Sequence, residues 1–134
     1  MTQTTQRPPI TLRRSDFERL DNLVTVAERQ QPEVAAYLAD ELDRAEIAGD
    51  DDLPPSLIVM GADVIFRDDA TQDVHHKRLV YPDQVKGDEA RLSILTPVGA
   101  ALIGLSQGQS IDWRTRSGEE RRLTVLQVTA HPAD

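Results

Sequence analysis

Cysteine is absent from this 134-residue chain, and aromatic residues are few, with one tryptophan, two tyrosines and two phenylalanines. Without cysteine the chain has no disulfide, no thiolate nucleophile and no cysteine-ligated metal centre, which fits a reducing cytoplasm. No apolar run approaches the roughly 20 residues that span a bilayer. The polar N-terminus also lacks the apolar core of a secretory signal. These absences predict a cytoplasmic protein that does not contact membranes.

Basic residues are too few for a nucleic-acid-binding surface. Fifteen Lys and Arg stand against 23 Asp and Glu, which gives a net charge of −8 with no lysine-rich tract. A protein that grips phosphates needs a dense basic surface to displace their counterions, so we expect no direct contact with nucleic acid. The acidity is concentrated, because residues 13–52 carry 5 basic and 12 acidic side chains.

That acidic segment, residues 13–49, has the pattern of an antiparallel helical hairpin. Ser15–Glu18 has the form of a capping box, which predicts a helix start. Pro32 fits the first turn of a second helix, and Gly49 fits its C-cap. Apolar residues recur at helical spacing: Phe17, Leu20, Val24 and Ala27 in the first helix, and Val34, Tyr37, Leu38, Leu42 and Ala45 in the second. When the apolar stripes of the two helices pack against each other, the helices form an antiparallel hairpin.

Flexible segments are expected around the hairpin and at the C-terminus. Residues 1–12 and 131–134 are predicted as tails, and residues 50–56 as a linker. The run Asp50–Asp52 in the linker is interpreted as solvated, because calcium loops alternate their ligands and need a glycine turn.

Residues 57–130 change to a strand-like period and form the second domain. Five runs are rich in β-branched and aliphatic residues: Val59–Phe66, Val74–Tyr81, Leu92–Leu95, Ser110–Trp113 and Leu123–Val128. Arg67–Thr71 closes the first hairpin, and Ser117–Gly118 closes the last. The sequence thus predicts an α+β fold: a helical hairpin followed by a small antiparallel sheet.

One short helix is expected between the third and fourth strands, over Thr96–Leu105. Thr96 is its predicted N-cap, Pro97 its first residue and Gly104 its C-cap. The helix would pack across the sheet.

Signals of catalysis or metal binding are weak. His75 and His76 are neighbours on a predicted strand, where their side chains point to opposite faces and do not converge on one ion. His131 stands close to the C-terminus. No Gly-x-Ser-x-Gly elbow and no glycine-rich phosphate loop is present. We therefore expect no catalytic residue, no metal site and no cofactor.

The block Leu92–Leu105, followed by Gly108–Ile111, closely resembles the C-terminal signature of the Gre transcript-cleavage factors, the GreA/GreB family. With Leu79–Pro82 and the short hairpin, the resemblance covers residues 10 to 130. It implies an FKBP-like C-terminal domain that docks on bacterial RNA polymerase at the secondary-channel entrance. Two positions depart from the signature: Leu95 precedes the Thr-Pro pair, and Gln109 stands where an Asp is usual.

The resemblance also implies the docking residues, which are those matching the signature: Thr96, Pro97, Gly99, Ala101 and Leu102. They would lie at or beside the docking surface. An alternative stays open, because Ala101 and Leu102 equally fit the core face of a short helix and Gly99 a site of close packing.

The resemblance makes the hairpin tip, with Glu28, Arg29, Gln30 and Glu33, the part that decides activity. Gre factors present two acidic residues at the tip of a long coiled coil, where they help hold a second Mg²⁺ in the polymerase. Helices of about 15 residues reach only about 22 Å, which is roughly half the length of the Gre coiled coil. The expected function is a monomeric regulator that competes with Gre factors without stimulating transcript cleavage.

Two other functions remain open. The FKBP-like sheet that the resemblance implies suggests peptidyl-prolyl isomerase activity as an alternative function. Such activity needs clustered aromatic rings, and the domain offers only Phe66, Tyr81 and Trp113. The resemblance also raises direct control of a nucleoside diphosphate kinase. No residues display a kinase-binding surface, so an indirect effect through transcription is the simpler expectation.

Overall fold

Two helices and two very short strands make up the N-terminal part of the computed structural model, which describes residues 8–54, 56–114 and 118–129. Strand β1 (Thr11–Arg13) leads directly into helix α1 (Arg14–Ala27), and helix α2 (Pro32–Arg44) is followed by strand β2 (Glu46–Ala48). The turn between the helices is closed by the amides of Gln30 and Gln31, which donate to the carbonyl oxygen of Ala27 at 3.1 and 2.9 Å. The predicted hairpin is therefore present, with Pro32 in the first turn of α2.

The two helices bury the apolar stripes that the spacing predicted. The buried residues are Leu20, Val24 and Ala27 on α1 and Ala35, Leu38 and Leu42 on α2, and Phe17, Val34 and Tyr37 are partly buried against them. Since each helix is polar on its other face, burial of these stripes accounts for the hairpin.

The predicted capping box at Ser15 is wrong. Helix α1 starts two residues earlier than the box predicts, at Arg14, with Arg13 at the N-cap and no side-chain cap. The amide of Ser15 donates to Asp50 Oδ1 at 3.3 Å, and Glu18 is exposed. A strand that runs straight into the helix leaves no room for the box, and Asp50 takes the amide that Glu18 would have bound.

The predicted C-terminal end of the second helix is also wrong. Helix α2 stops at Arg44, because Ala45 is extended (φ −78°, ψ 147°) and the chain continues as β2. Strand β2 pairs in parallel with β1, with Leu12 opposite Ile47. Gly49 therefore lies beyond the strand and does not cap the helix.

Residues 8–12 do not behave as the predicted tail. Ile10 and Leu12 are only 2% and 1% exposed, and the amide of Thr11 donates to the carbonyl of Gly104 at 3.2 Å. The alternation of Ile10 and Leu12 is a short strand pattern that inserts into the core. Residues 1–7, the rest of that predicted tail, lie outside the described residues.

The C-terminal part is a five-stranded sheet with one short helix, as predicted. Its elements are β3 (Asp63–Asp68), β4 (Asp73–Val80), a 3₁₀ turn (Pro82–Gln84), β5 (Arg91–Ser93), α3 (Pro97–Leu102), β6 (Ser110–Arg114) and β7 (Glu120–Thr129). The strand order is β5-β4-β3-β7-β6. All pairs are antiparallel except β4 and β5, which run parallel, so the expected antiparallel sheet is mixed at one edge.

Turn chemistry in this part follows the prediction closely. The β3–β4 turn is closed by the amide of Gln72, which donates to Asp68 O at 2.7 Å. Gly118 takes a φ of +93° before β7, as a residue in that turn must. Ser117 lies outside the described residues.

The hairpin and the sheet are joined by buried polar bonds as well as by a shared apolar core. Asp16 is buried, and its Oδ2 accepts from the amide of Met60 at 3.0 Å while its Oδ1 accepts from Arg13 Nη2 at 2.9 Å. Arg13 also donates to the Met60 carbonyl at 3.3 Å. Because these bonds lie at the base of α1, they fix the direction in which the hairpin leaves the sheet. The division of the chain at residues 50–56 stays a prediction.

Candidate functional site

Helix α3 and its N-cap Thr96 carry the five predicted docking residues, and local chemistry explains where the helix starts. Thr96 Oγ1 accepts from the amide of Gly99 at 3.0 Å and donates to the carbonyl of Ser93 at 2.8 Å. Pro97 follows as the first helical residue, and Gly104, with a φ of +83°, turns the chain just beyond the helix. The predicted N-cap and first residue are confirmed. The predicted C-terminal end is wrong, because the helix stops at Leu102 with Ile103 as its C-cap, and Gly104 lies one residue beyond that cap.

Only two of those five residues have a surface to offer a partner. Thr96 and Pro97 are partly exposed, whereas Gly99, Ala101 and Leu102 are buried. The expectation that Gly99, Ala101 and Leu102 lie on a docking surface is therefore corrected: they pack the core, which was the alternative left open.

Gly99 is required by close packing of backbone against backbone. A Cβ atom at this position would lie 2.2 Å from the Ser93 carbonyl oxygen and 3.1 Å from Ile94 Cα. The helix start thus sits directly on the end of β5, and the signature glycine serves the fold.

The hairpin tip lies at the exposed end of the two helices. Glu28, Arg29, Gln30 and Glu33 are all exposed. Helices of 14 and 13 residues extend about 20 Å at 1.5 Å per residue, close to the predicted reach. Glu28 and Glu33 stand on opposite sides of the turn, with Arg29 next to the first.

The structure brings this tip next to helix α3, which the sequence treated as a separate site. Between them lies a cleft of about 770 Å³, here called the tip cleft. Its described lining residues are Gln30, Gln31, Pro32, Glu33, Val34, Tyr37, Pro97, Ala100, Trp113 and Gly118. Predicted tip residues and a predicted docking residue therefore share one surface.

Two aromatic residues of the tip cleft were not predicted as site residues. Tyr37 was assigned to the apolar stripe of α2, and Trp113 to a strand; both are partly buried against the core while lining the cleft. The Trp113 indole nitrogen is buried and has no hydrogen-bond partner among the described residues. The signal available in the sequence was the position of Trp113, because a large aromatic ring at the end of a strand stands out in a chain with so few aromatic residues.

The three aromatic residues that an isomerase pocket would have to gather lie in three different places. Phe66 stacks on His75 at a centroid distance of 5.3 Å, Trp113 lines the tip cleft, and Tyr81 packs under Arg19, whose guanidinium lies 4.0 Å from the ring centroid. Burial and the nearby carboxylate of Asp16 raise the pKa of Tyr81 to about 12. No shared aromatic pocket results.

The histidines do not come together either. His75 pairs with Phe66 and His76 with Ile65 in the β3–β4 register, so they point to opposite faces as expected. Within the part of the chain that the structure describes, no three His, Asp or Glu side chains are grouped as metal ligands would be. His131 lies outside the described residues.

An ordered polar network occupies the β3–β4 turn. Asp69 accepts from Arg67 Nε and from Thr124 Oγ1, each at 2.8 Å, and buried Asp68 accepts from Arg121 at 2.9 Å. Although burial raises the pKa of Asp69, the bonds from Arg67 and Thr124 and the nearby guanidinium charges lower it below its usual value. Since these side chains are partnered with one another and join the turn to β7, the network stabilises the fold.

Comparison with known proteins assigns the family. The model of the family described as "Transcription elongation factor, GreA/GreB, C-term" matches residues 53–130. The model of the family described as "Rnk N-terminus" matches residues 8–47. The chain belongs to the GreA/GreB family. The resemblance stated from the signature is thereby confirmed, and the N-terminal hairpin is of the Rnk type.

Relatives of known name agree with this assignment. The chain is 35% identical to the "Regulator of nucleoside diphosphate kinase" of Escherichia coli K12 over 126 residues, 94% of this chain and 93% of that protein. It is 30% identical to transcription elongation factor GreA of Syntrophobacter fumaroxidans over 91 residues, 68% of this chain and 58% of that protein. These relatives are named as a regulator and a transcription factor.

A solved structure confirms the α+β fold. A GreA/GreB factor from Nitrosomonas europaea superposes with a TM-score of 0.72 at 35% identity and covers 92% of this chain and 99% of its own. No helix in the described part of this GreA/GreB-family chain is long and apolar enough to cross a membrane.

Proposed function

We propose that the chain binds bacterial RNA polymerase at the secondary-channel entrance and competes there with Gre-type factors, without stimulating transcript cleavage. The observation that carries the proposal is the combination of a Gre-type C-terminal domain with a hairpin of only 14 and 13 helical residues. The C-terminal domain would dock on the polymerase, and the short hairpin would occupy the channel entrance and obstruct Gre-type factors.

The hairpin is too short for the task that tip carboxylates perform in cleavage factors. It extends about 20 Å from its base, and Asp16 and Arg13 hold that base against Met60, in the segment that leads into β3. The reach of the tip is therefore limited by helix length and is not extended by a swing of the hairpin. Glu28 and Glu33 would remain short of the polymerase metal site.

The charge of the hairpin supports entry into a channel that leads to bound cations. Of its acidic side chains, Asp16 and Glu41 are buried against Arg13 and Arg44, with N–O distances of 2.9 and 2.8 Å. These two pairs are internally neutral, so the excess negative charge lies on the exposed faces. Such a field steers association with a positively charged partner and weakens with salt.

Purified core RNA polymerase tests the proposal directly. The chain should be retained by immobilised polymerase, should produce no cleavage of a backtracked transcript by itself, and should slow the cleavage that a Gre factor stimulates. Failure to bind, or cleavage by the chain alone, would overturn the proposal.

The printed name of the Escherichia coli relative refers to nucleoside diphosphate kinase. We propose that any effect of this chain on that enzyme is indirect, through transcription. Added to the purified kinase, the chain should leave its rate unchanged; a change in rate would favour direct binding.

A further inference from the structure

Helix α1 is attached to the C-terminal part of the chain at a second point, beyond the buried Asp16. The guanidinium of Arg19 lies over the ring of Tyr81, 4.0 Å from the ring centroid. An aromatic face attracts a cation, and a planar guanidinium also stacks on it. Because Asp16 and Arg19 are three residues apart, they lie on the same face of the helix. Neither the family assignment nor the names of the relatives give this contact a role.

Both attachment points belong to one connected part of the sheet. Met60, whose amide binds Asp16, lies in the segment that leads into β3, and Tyr81 directly follows β4. The amide of Gly61 donates to the carbonyl of Leu79 at 2.7 Å and so joins these two segments. Helix α1 is therefore held at two points against the same rigid structure.

The ring that lies under Arg19 is itself fixed in place. Tyr81 is only 7% exposed. Its amide donates to Gln84 Oε1 at 3.2 Å, and its carbonyl accepts from the Gln84 amide at 2.9 Å. Arg19, in contrast, is exposed. A substitution of Arg19 should therefore remove the contact without opening the core.

The position of Arg19 along the helix suits it to hold the hairpin. Arg19 lies about 4.5 Å nearer to the tip than Asp16, at 1.5 Å per residue. Leu23, Val26 and Pro82 are among the residues that line an open groove of about 260 Å³ on the tip side of Arg19. Val26 is 74% exposed there. Because a second contact further along a helix limits its swing about the first, Arg19 extends the hold of the base towards the tip.

We propose that Arg19 is a positioning residue that, through Tyr81, holds the hairpin in the direction set at its base. This inference rests on the proposed function for its purpose. A hairpin that is already held in one direction loses less conformational freedom when it occupies the channel entrance, so less binding energy is spent on ordering it.

Paired spin labels can measure the direction of the hairpin in the whole protein, because the chain has no native cysteine to be labelled as well. Glu28→Cys at the hairpin tip and Val74→Cys on β4 place the two labels at exposed positions. The distance distribution between the labels, measured by pulsed electron paramagnetic resonance, should have one narrow peak when Arg19 is present. Adding Arg19→Ala should at least double the width of that peak.

Arg14→Ala is the matched control for Arg19→Ala. Arg14 is exposed on the same helix and carries the same charge, but it lies roughly 140° around the helix axis from Arg19. Its substitution should leave the width unchanged. Tyr81→Phe keeps the ring face and should also keep the narrow peak. A narrow peak with Arg19→Ala, equal broadening with Arg14→Ala, or a broad peak with Tyr81→Phe would overturn the proposal.

Binding to purified core RNA polymerase tests the link with docking. Arg19→Ala should weaken binding about threefold, whereas Arg14→Ala should not weaken it. Weaker binding with the narrow peak retained would make Arg19 a direct polymerase contact and overturn its positioning role. A broad peak with full affinity would overturn the link with docking. Because the distances are measured on the free chain, absence of binding by the unaltered chain would overturn the proposed function and leave the distance result standing.

Discussion

Replacing Gly99 by alanine should destabilise the chain because it forces the start of α3 away from β5. The added Cβ would lie 2.2 Å from the Ser93 carbonyl oxygen and 3.0 Å from Thr96 Oγ1, and the first of these atoms is backbone and cannot rotate away. Overpacking a core costs about 1–3 kcal/mol, and a backbone clash belongs at the upper end. We expect a loss of about 3 kcal/mol in the free energy of unfolding, or about 10 °C in Tm, measured by urea and thermal denaturation.

Gly49→Ala is the control for this substitution. A Cβ at Gly49 would meet only Asp52 Oδ2 at 3.4 Å, an ordinary contact, and Gly49 does not have a positive φ. The free energy of unfolding should change by no more than about 1 kcal/mol, with a small gain from a stiffer unfolded chain. A Gly99→Ala variant as stable as the unaltered chain but unable to bind polymerase would refute the reasoning, because Gly99 would then be a docking residue.

Two further predictions concern the junction of hairpin and sheet. Asp16→Ala leaves the buried Met60 amide and the Arg13 guanidinium without their acceptor, so the free energy of unfolding should fall by about 3 kcal/mol in urea; an unchanged midpoint would contradict a structural role for this bond. Tyr81→Phe removes a buried hydroxyl with no described partner, so stability at neutral pH should be retained or increased. Because the pKa of Tyr81 is raised from 10.0 to about 12, the tyrosine's contribution is complete below pH 10 and lost as pH rises towards 12. Tm measured across that window should therefore fall more steeply for the unaltered chain than for Tyr81→Phe.

The start of helix α3 could be predicted to the residue because its signals are local. A threonine that caps, a proline that starts and a glycine that reverses the chain all act within one or two turns, and the structure uses Thr96, Pro97 and Gly104 in those roles. The apolar stripes of α1 and α2 could also be predicted from the sequence. The spacing of apolar residues shows which face of a helix is buried, whatever element packs against that face.

The pairing of β1 with β2 could not be predicted from either segment alone. Each strand has three residues, and their pairing joins Thr11 to Glu46 across the whole hairpin. That long-range contact also explains two wrong predictions, because it ends α2 at Arg44 and orders Ile10 and Leu12. The capping box failed for a similar reason, since Asp50, distant in sequence, binds the Ser15 amide.

Three of the five signature residues predicted to dock are buried, and this changes what the signature indicates. Gly99, Ala101 and Leu102 hold α3 against the sheet, so a match at these positions indicates the fold and does not identify a partner surface. A partner must be recognised by exposed groups, and these depend on how the hairpin tip lies against α3. Because Asp16 fixes that orientation at Met60, the tip cleft, with Glu33 and Trp113 in its lining, is a built feature of the fold.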